Sequence, residues 1–163
     1  MVSNPAALGL GHQDITGVSM NISAQKQLRA LLKEAPGIQS IGIIYDPANT
    51  KSLFEEARRA ARELGVSLVY KEVHTSGEVP GAIDELKGKI DAYWMLPDTT
   101  VITRETLEYL LLFSFENSVP ILTFSDKYLE MGAFLSLGID ARDIGRQACG
   151  MALKLARGEQ VPR

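Results

Sequence analysis

At 163 residues the chain fits one domain with short appended segments, and it is long enough to bury a real hydrophobic core. A hydrophobic content of 45% with 23% charged residues is that of a globular protein, and a net charge of −3 argues against a nucleic-acid partner, which needs a concentrated basic surface. The single cysteine, Cys149, rules out an intrachain disulfide; no signal-peptide pattern opens the chain, and no apolar run is long enough to span a bilayer.

Residues 1–20 carry Gly, Ala and Pro without a sustained period and read as a hinge or connecting segment, with Asp14-Ile15-Thr16-Gly17-Val18-Ser19 a short extended piece. From there apolar patterns alternate. Leu28, Leu31, Leu32 and Ala35 form a helical stripe that Ser23 caps and Pro36-Gly37 ends. Ser40 to Tyr45 is a continuous apolar run, as expected of a parallel strand covered on both faces. A helix follows, with Leu53, Phe54, Ala57, Ala60, Ala61 and Leu64 inward and Gly65 just beyond its end. Its Arg58, Arg59 and Arg62 alternate with Glu55, Glu56 and Glu63, which marks a solvated face.

Residues 66–73 are a second, less apolar strand near an edge, and 78–86 a short helix with Val79, Ile83 and Leu86 inward. Residues 91–96 make the third strand, 103–117 a leucine-rich helix, 120–124 the fourth strand and 133–137 the fifth. Asp140 then caps a last helix that turns Ile144, Ala148, Met151, Ala152 and Leu155 inward, buries Cys149 as a small apolar residue and ends at Gly158. Strands and helices alternating at this spacing demand right-handed crossovers between parallel strands. The expected fold is therefore α/β, a doubly wound parallel five-stranded sheet in the order 2-1-3-4-5, with the α/β lobe at 21–158 and a tail at 159–163.

That order puts the switch point between strands 1 and 3, where open α/β sheets bind ligands. Two loops leave those strands: Tyr45-Asp46-Pro47-Ala48-Asn49-Thr50-Lys51-Ser52 and Leu96-Pro97-Asp98-Thr99-Thr100. Facing each other, Asp46 and Asp98 suit a ligand ammonium group, a metal or a phosphoryl group, or serve as turn and helix caps. His12 and His74 fall elsewhere without ligand spacing, so no metal is expected. A phospho-receiver domain would need an acidic pair after the first strand and a lysine after the fifth, whereas Lys127 follows the fourth. There is no phosphate-binding glycine loop, no Gly-x-Ser-x-Gly elbow and no Cys/His pair, so neither a nucleotide cofactor nor covalent catalysis is expected. What remains is recognition of a small polar ligand. Tyr45 and Phe124 offer apolar walls, and Asn49, Thr50, Ser52, Thr99, Thr100, Thr123 and Ser125 offer polar contacts.

The ordered set Asn4-Pro5, Asp14-Ile15-Thr16-Gly17-Val18-Ser19, Ile41-Gly42-Ile43-Ile44-Tyr45-Asp46-Pro47, Leu96-Pro97-Asp98-Thr99-Thr100-Val101, Val119-Pro120-Ile121, Gly132-Ala133, Asp140 with Gly145 and Ala148, and Ala156 to Pro162 spans nearly the whole chain. It resembles the substrate-binding proteins of ABC transporters, in the family that includes tryptophan- and tyrosine-binding members. The resemblance implies one lobe, the C-terminal one, of a type I periplasmic binding protein, with the other lobe upstream in a longer protein. It implies a non-enzymatic, periplasmic or extracytoplasmic solute binder for an amino acid or similar metabolite, delivering to a transporter permease. In that family the Asp98 element and the Tyr45–Ser52 loop line the cleft, which makes Tyr45, Asp46, Asn49, Ser52, Asp98, Thr99 and Ser125 the ligand-binding candidates. Asp46 departs from the Asn usual in the family loop, and Asp14 from the Asn of the hinge motif. A stand-alone ligand-sensing or regulatory domain is the alternative. The face left by a missing lobe would favour a homodimer of the single lobe.

Overall fold

The computed structural model describes residues 22–138 and 141–159. The expected connecting segment 1–20, the Asp140 cap and the end of the tail at 160–163 lie outside the described residues. One compact unit runs over Ser23–Gly138. It contains, in order, α1 (Ala24–Glu34), β1 (Ser40–Tyr45), α2 (Pro47–Glu63), β2 (Ser67–Glu72), α3 (Val79–Leu86), β3 (Ala92–Trp94), α4 (Arg104–Asn117), β4 (Ile121–Thr123) and β5 (Leu135–Ser136). Helix α5 (Ala141–Ala156) belongs to a second unit.

All strand pairs are parallel, and the sheet order is β2-β1-β3-β4-β5. The expected α/β doubly wound sheet is the one found. Strand alternation sorts the core into two layers. Ile41, Ile43, Tyr45, Ala92, Trp94 and Leu122 turn to one face, against Leu28 and Leu31 of α1 and Phe54, Ala57 and Ala60 of α2. Ile44, Tyr93, Met95 and Ile121 turn to the other, against Val79, Ile83 and Leu86 of α3 and Leu107, Leu110 and Phe113 of α4. Each fully buried Leu or Ile contributes about 1.5–3 kcal/mol to this core. Gly42 sits where a Cβ would come within 2.6 Å of Ile90 Cδ1 and 3.1 Å of Leu86 Cδ1, so the missing side chain lets the α3–β3 connection close on β1.

The helix after β1 lies on one face and the helix after β3 on the other, which makes the carboxyl ends of these two strands a switch point. Register aligns what emerges there. Ile41 stands opposite Ala92, and the same offset puts Asp46 opposite Pro97. Tyr45 stands opposite Glu72, which puts Pro47 opposite His74 on the β2 side. Trp94 opposite Leu122 puts Pro97 opposite Ser125 on the β4 side.

In α5 the expected inward stripe is found only in part: Ile144 and Met151 are half-buried, while Ala148, Ala152 and Leu155 are exposed. Cys149 is exposed, not buried as expected, because it projects from the side of the helix opposite the half-buried residues. The large exposed apolar residues Phe115, 86% exposed, and Met131 border a groove of about 590 Å³ with Val119, Pro120 and Gly132. These residues precede β4 and β5, so the groove lies at the amino-terminal end of the sheet, away from the switch point.

Candidate functional site

The β1–α2 and β3–α4 loops meet through a shared hydrogen-bond network. Asp46 is the N-cap of α2, and its Oδ1 accepts from the Ala48 amide at 2.9 Å, while Pro47 fills the first helical position. This is the capping role open to any Asp before Pro. The other oxygen, Oδ2, accepts from the Thr100 hydroxyl at 2.7 Å across the crevice. The Asn49 side-chain amide donates to Thr100 Oγ1 at 2.8 Å and makes longer contacts of 3.4 Å with Asp46 Oδ2 and Asp98 Oδ1.

Asp98 is 1% exposed and accepts from both loops. Its Oδ2 takes the Asp46 amide at 2.8 Å and the Thr50 hydroxyl at 2.5 Å. Its Oδ1 takes the Thr100 and Val101 amides at 2.9 and 3.3 Å. A carboxyl group offers about four lone-pair sites, and here donors from the protein occupy them. Helix α4 then starts from a capping box in which Thr103 and Thr106 exchange side-chain and backbone bonds.

Hydrogen bonding sets the electrostatics of the rim. The Thr100 hydroxyl and then the Ala48 amide hold the Asp46 carboxyl below the usual aspartate range, with a smaller contribution from His74 and against the effect of burial. Glu78 is held low by the His74 amide and the Thr75 hydroxyl, which fasten its carboxylate beside the end of β2. Tyr45 is pushed the other way: burial first, then its bond to Glu72, raises its phenol well above the ordinary value.

Of the seven candidates, Asp46, Asn49 and Asp98 are joined in one network. Asn49, Ser52 and Thr99 are exposed, and Ser125 is half-buried at the end of β4. Tyr45 does not reach the crevice. It is in phase with Ile41 and Ile43, faces the α1/α2 layer, and stacks on Phe54 with ring centroids 4.0 Å apart. Thr123 is likewise a core residue, its hydroxyl 3.4 Å from Met95 Sδ. Phe124 packs against the α3/α4 layer and meets Tyr128 edge-on.

His74, distant from the two loops in sequence, follows β2 at the same rim and contributes to lowering the Asp46 carboxyl. The edge position of its strand was the signal that could have placed it. By composition Thr50 is one hydroxyl among several; its spacing of one helical turn from Asp46 is the signal of its buried role. Among the described residues no group of three or more His, Cys, Asp or Glu side chains could hold a metal ion. No described helix is long and apolar enough to cross a membrane.

The arrangement is a polar rim on two braced loops. The family model for "ABC transporter substrate binding protein" matches residues 7–163. The tyrosine-binding protein of Clostridioides difficile (strain R20291) is 27% identical over 150 residues, which is 91% of this chain but 43% of that protein. A ligand-free, open substrate-binding protein with adhesive properties from Clostridium difficile superposes with a TM-score of 0.81 at 29% identity, covering 98% of this chain and 56% of that one. A conserved domain protein from Vibrio cholerae gives a TM-score of 0.71 at 27% identity, over 96% and 55%. The chain thus spans about half the length of these relatives, which fits a single α/β lobe of the type I binding-protein fold. The chain belongs to the ABC transporter substrate-binding protein family.

Proposed function

We propose that this chain is one wall of an extracytoplasmic solute-binding cleft, which captures a small polar ligand such as an amino acid and presents it to a transporter permease without chemical change. The observation that carries the reading is the hydrogen-bond network joining Asp46, Asn49, Asp98 and Thr100, anchored on the buried Asp98, which braces two switch-point loops beside an exposed polar rim. Asn49, Ser52, Thr99 and Ser125 supply hydroxyl and amide contacts on that rim, and Asp46 lends it negative potential. Asp98 supports from beneath. Tyr45 drops out of the contact set because its ring is committed to Phe54. Residues 1–20 would connect to an upstream lobe that supplies the opposite wall, with the present lobe ending near residue 158.

An amino acid is the favoured class because one relative is named for tyrosine binding, and the fold is shared with a Streptococcus protein solved in complex with L-Trp. The test is a thermal-shift screen of the full-length protein against the protein amino acids. Saturation at about a hundred times Kd should add about 2.7 kcal/mol of stability. A full-length protein that no amino acid stabilises would sink the reading.

A further inference from the structure

Thr50 is 2% exposed, so its hydroxyl is turned into the protein and not offered at the surface. Its backbone, at φ −129 and ψ 20, leaves the helical region and divides α2 after its first turn. The hydroxyl carries one proton. The carbonyl oxygen of Asp46, the usual partner of a helical threonine, lies at 3.5 Å, whereas Asp98 Oδ2 lies at 2.5 Å. The proton therefore goes to Asp98. That same oxygen holds the Asp46 amide, and the other holds the amides of Thr100 and Val101. One buried carboxyl group thus grips the β1–α2 loop with one oxygen and its own loop with the other.

We infer that Thr50 and Asp98 form a latch that makes the two crevice loops move as a single body, and that Thr50 is a positioning residue for the rim above it. The force reaches the surface through Asn49, the residue before Thr50, whose amide touches Asp46, Asp98 and Thr100. Without the Thr50 hydroxyl, Asp98 Oδ2 is one donor short in a site with almost no water access, and the carboxyl group must turn to find another. Turning loosens its bonds to Thr100 and Val101, and Asn49 loses its fixed geometry. The mechanical claim stands on the hydrogen bonds alone; its consequence for affinity rests on the proposed ligand site.

The experiment compares the full-length protein with its Thr50→Val, Thr50→Ser and Asp98→Asn variants. Amide hydrogen exchange is followed without ligand, and L-tyrosine is titrated as the binding probe. Thr50→Val keeps the side-chain shape and should speed exchange at least about tenfold in both 46–50 and 98–101, leaving α4 and the central strands protected. Thr50→Ser keeps the hydroxyl and should restore protection, which separates the latch from a general loss of fold. L-Tyrosine should bind Thr50→Val about tenfold more weakly, chiefly through faster release. Exchange that quickens in 46–50 while 98–101 stays protected would overturn the latch. Loosened loops with unchanged affinity would overturn the positioning role. A wild type that ignores every amino acid would overturn the proposed function, and exchange would still decide the latch. If Asp98→Asn abolishes binding while Thr50→Val binds and exchanges like wild type, Asp98 acts without Thr50 and the inference fails.

Discussion

Asp46 caps α2 with one oxygen and takes the Thr100 hydroxyl with the other, and these bonds exist only for an acceptor. An asparagine there can keep the Ala48 bond, but its amide nitrogen then faces the Asn49 amide, can no longer accept the Thr100 proton, and carries no charge. The pH dependence follows from the sign of the shift. The folded carboxyl titrates below its unfolded value, so its stabilisation is fully present above the ordinary aspartate pKa of about 3.9 and is lost as pH falls through the lower folded value. Asp46→Asn should therefore be less stable than wild type at neutral pH, and the gap should narrow as pH falls below the ordinary aspartate range. Urea midpoints measured across that range check it; a gap that persists unchanged at low pH would mean that ionisation of Asp46 contributes nothing. The capping half of this dual use is legible in the sequence, because Asp before Pro is a common turn opener; the bond to Thr100 is not. The burial of Asp98 was not, since a loop of Pro, Asp and Thr reads as solvated whether or not its carboxylate is saturated from within. Tyr45 belongs to the strand and not to the loop that follows it: counting by twos from Ile41 and Ile43 puts its ring on the helix layer.

The central strands were readable as elements because β1, β3 and β4 are covered on both faces and so appear as unbroken apolar runs. Their ends were less so. The expected strands at 91–96, 120–124 and 133–137 pair only over Ala92–Trp94, Ile121–Thr123 and Leu135–Ser136. Helix α4 begins one residue late because Thr103 is its cap, not its first turn. Its other end carries a testable cost. Ser118 closes α4 in the left-handed region at φ 54 and ψ 37, a conformation that favours glycine, while the Val119 amide bonds back to Ser114. Ser118→Gly should raise stability by about 0.5–1 kcal/mol, the relief of left-handed strain less the added freedom of the unfolded chain. Chemical denaturation reads this directly; a glycine variant that is less stable than wild type would show that the serine side chain contributes more than its backbone costs. Helix α5 was the least legible. A stripe of Ala, Met and Leu reads the same from sequence whether its partner lies in this chain or elsewhere.

If the chain is one wall of a cleft, as proposed, it should bind weakly by itself. On the proposed reading the rim groups Asn49, Ser52 and Thr99 meet the ligand; they are exposed, so each such contact competes with water and returns little net free energy. Affinity in a cleft comes from closure, when a second wall removes that water and buries most of the ligand surface. The chain spans 43% of one relative and 56% of another, the proportion expected of one wall. The 163-residue chain alone should then bind the amino acid that stabilises the full-length protein at least about a hundredfold more weakly, a difference of about 2.7 kcal/mol. At a ligand concentration that raises the full-length melting temperature by several degrees, the chain alone should shift by less than about one degree. Calorimetric titration of both proteins under the same conditions gives the ratio. Equal affinities would mean that the loops joined by Asp98 complete a site by themselves. The chain would then act as a self-sufficient ligand-sensing domain, and closure against a second lobe would not be the source of its recognition.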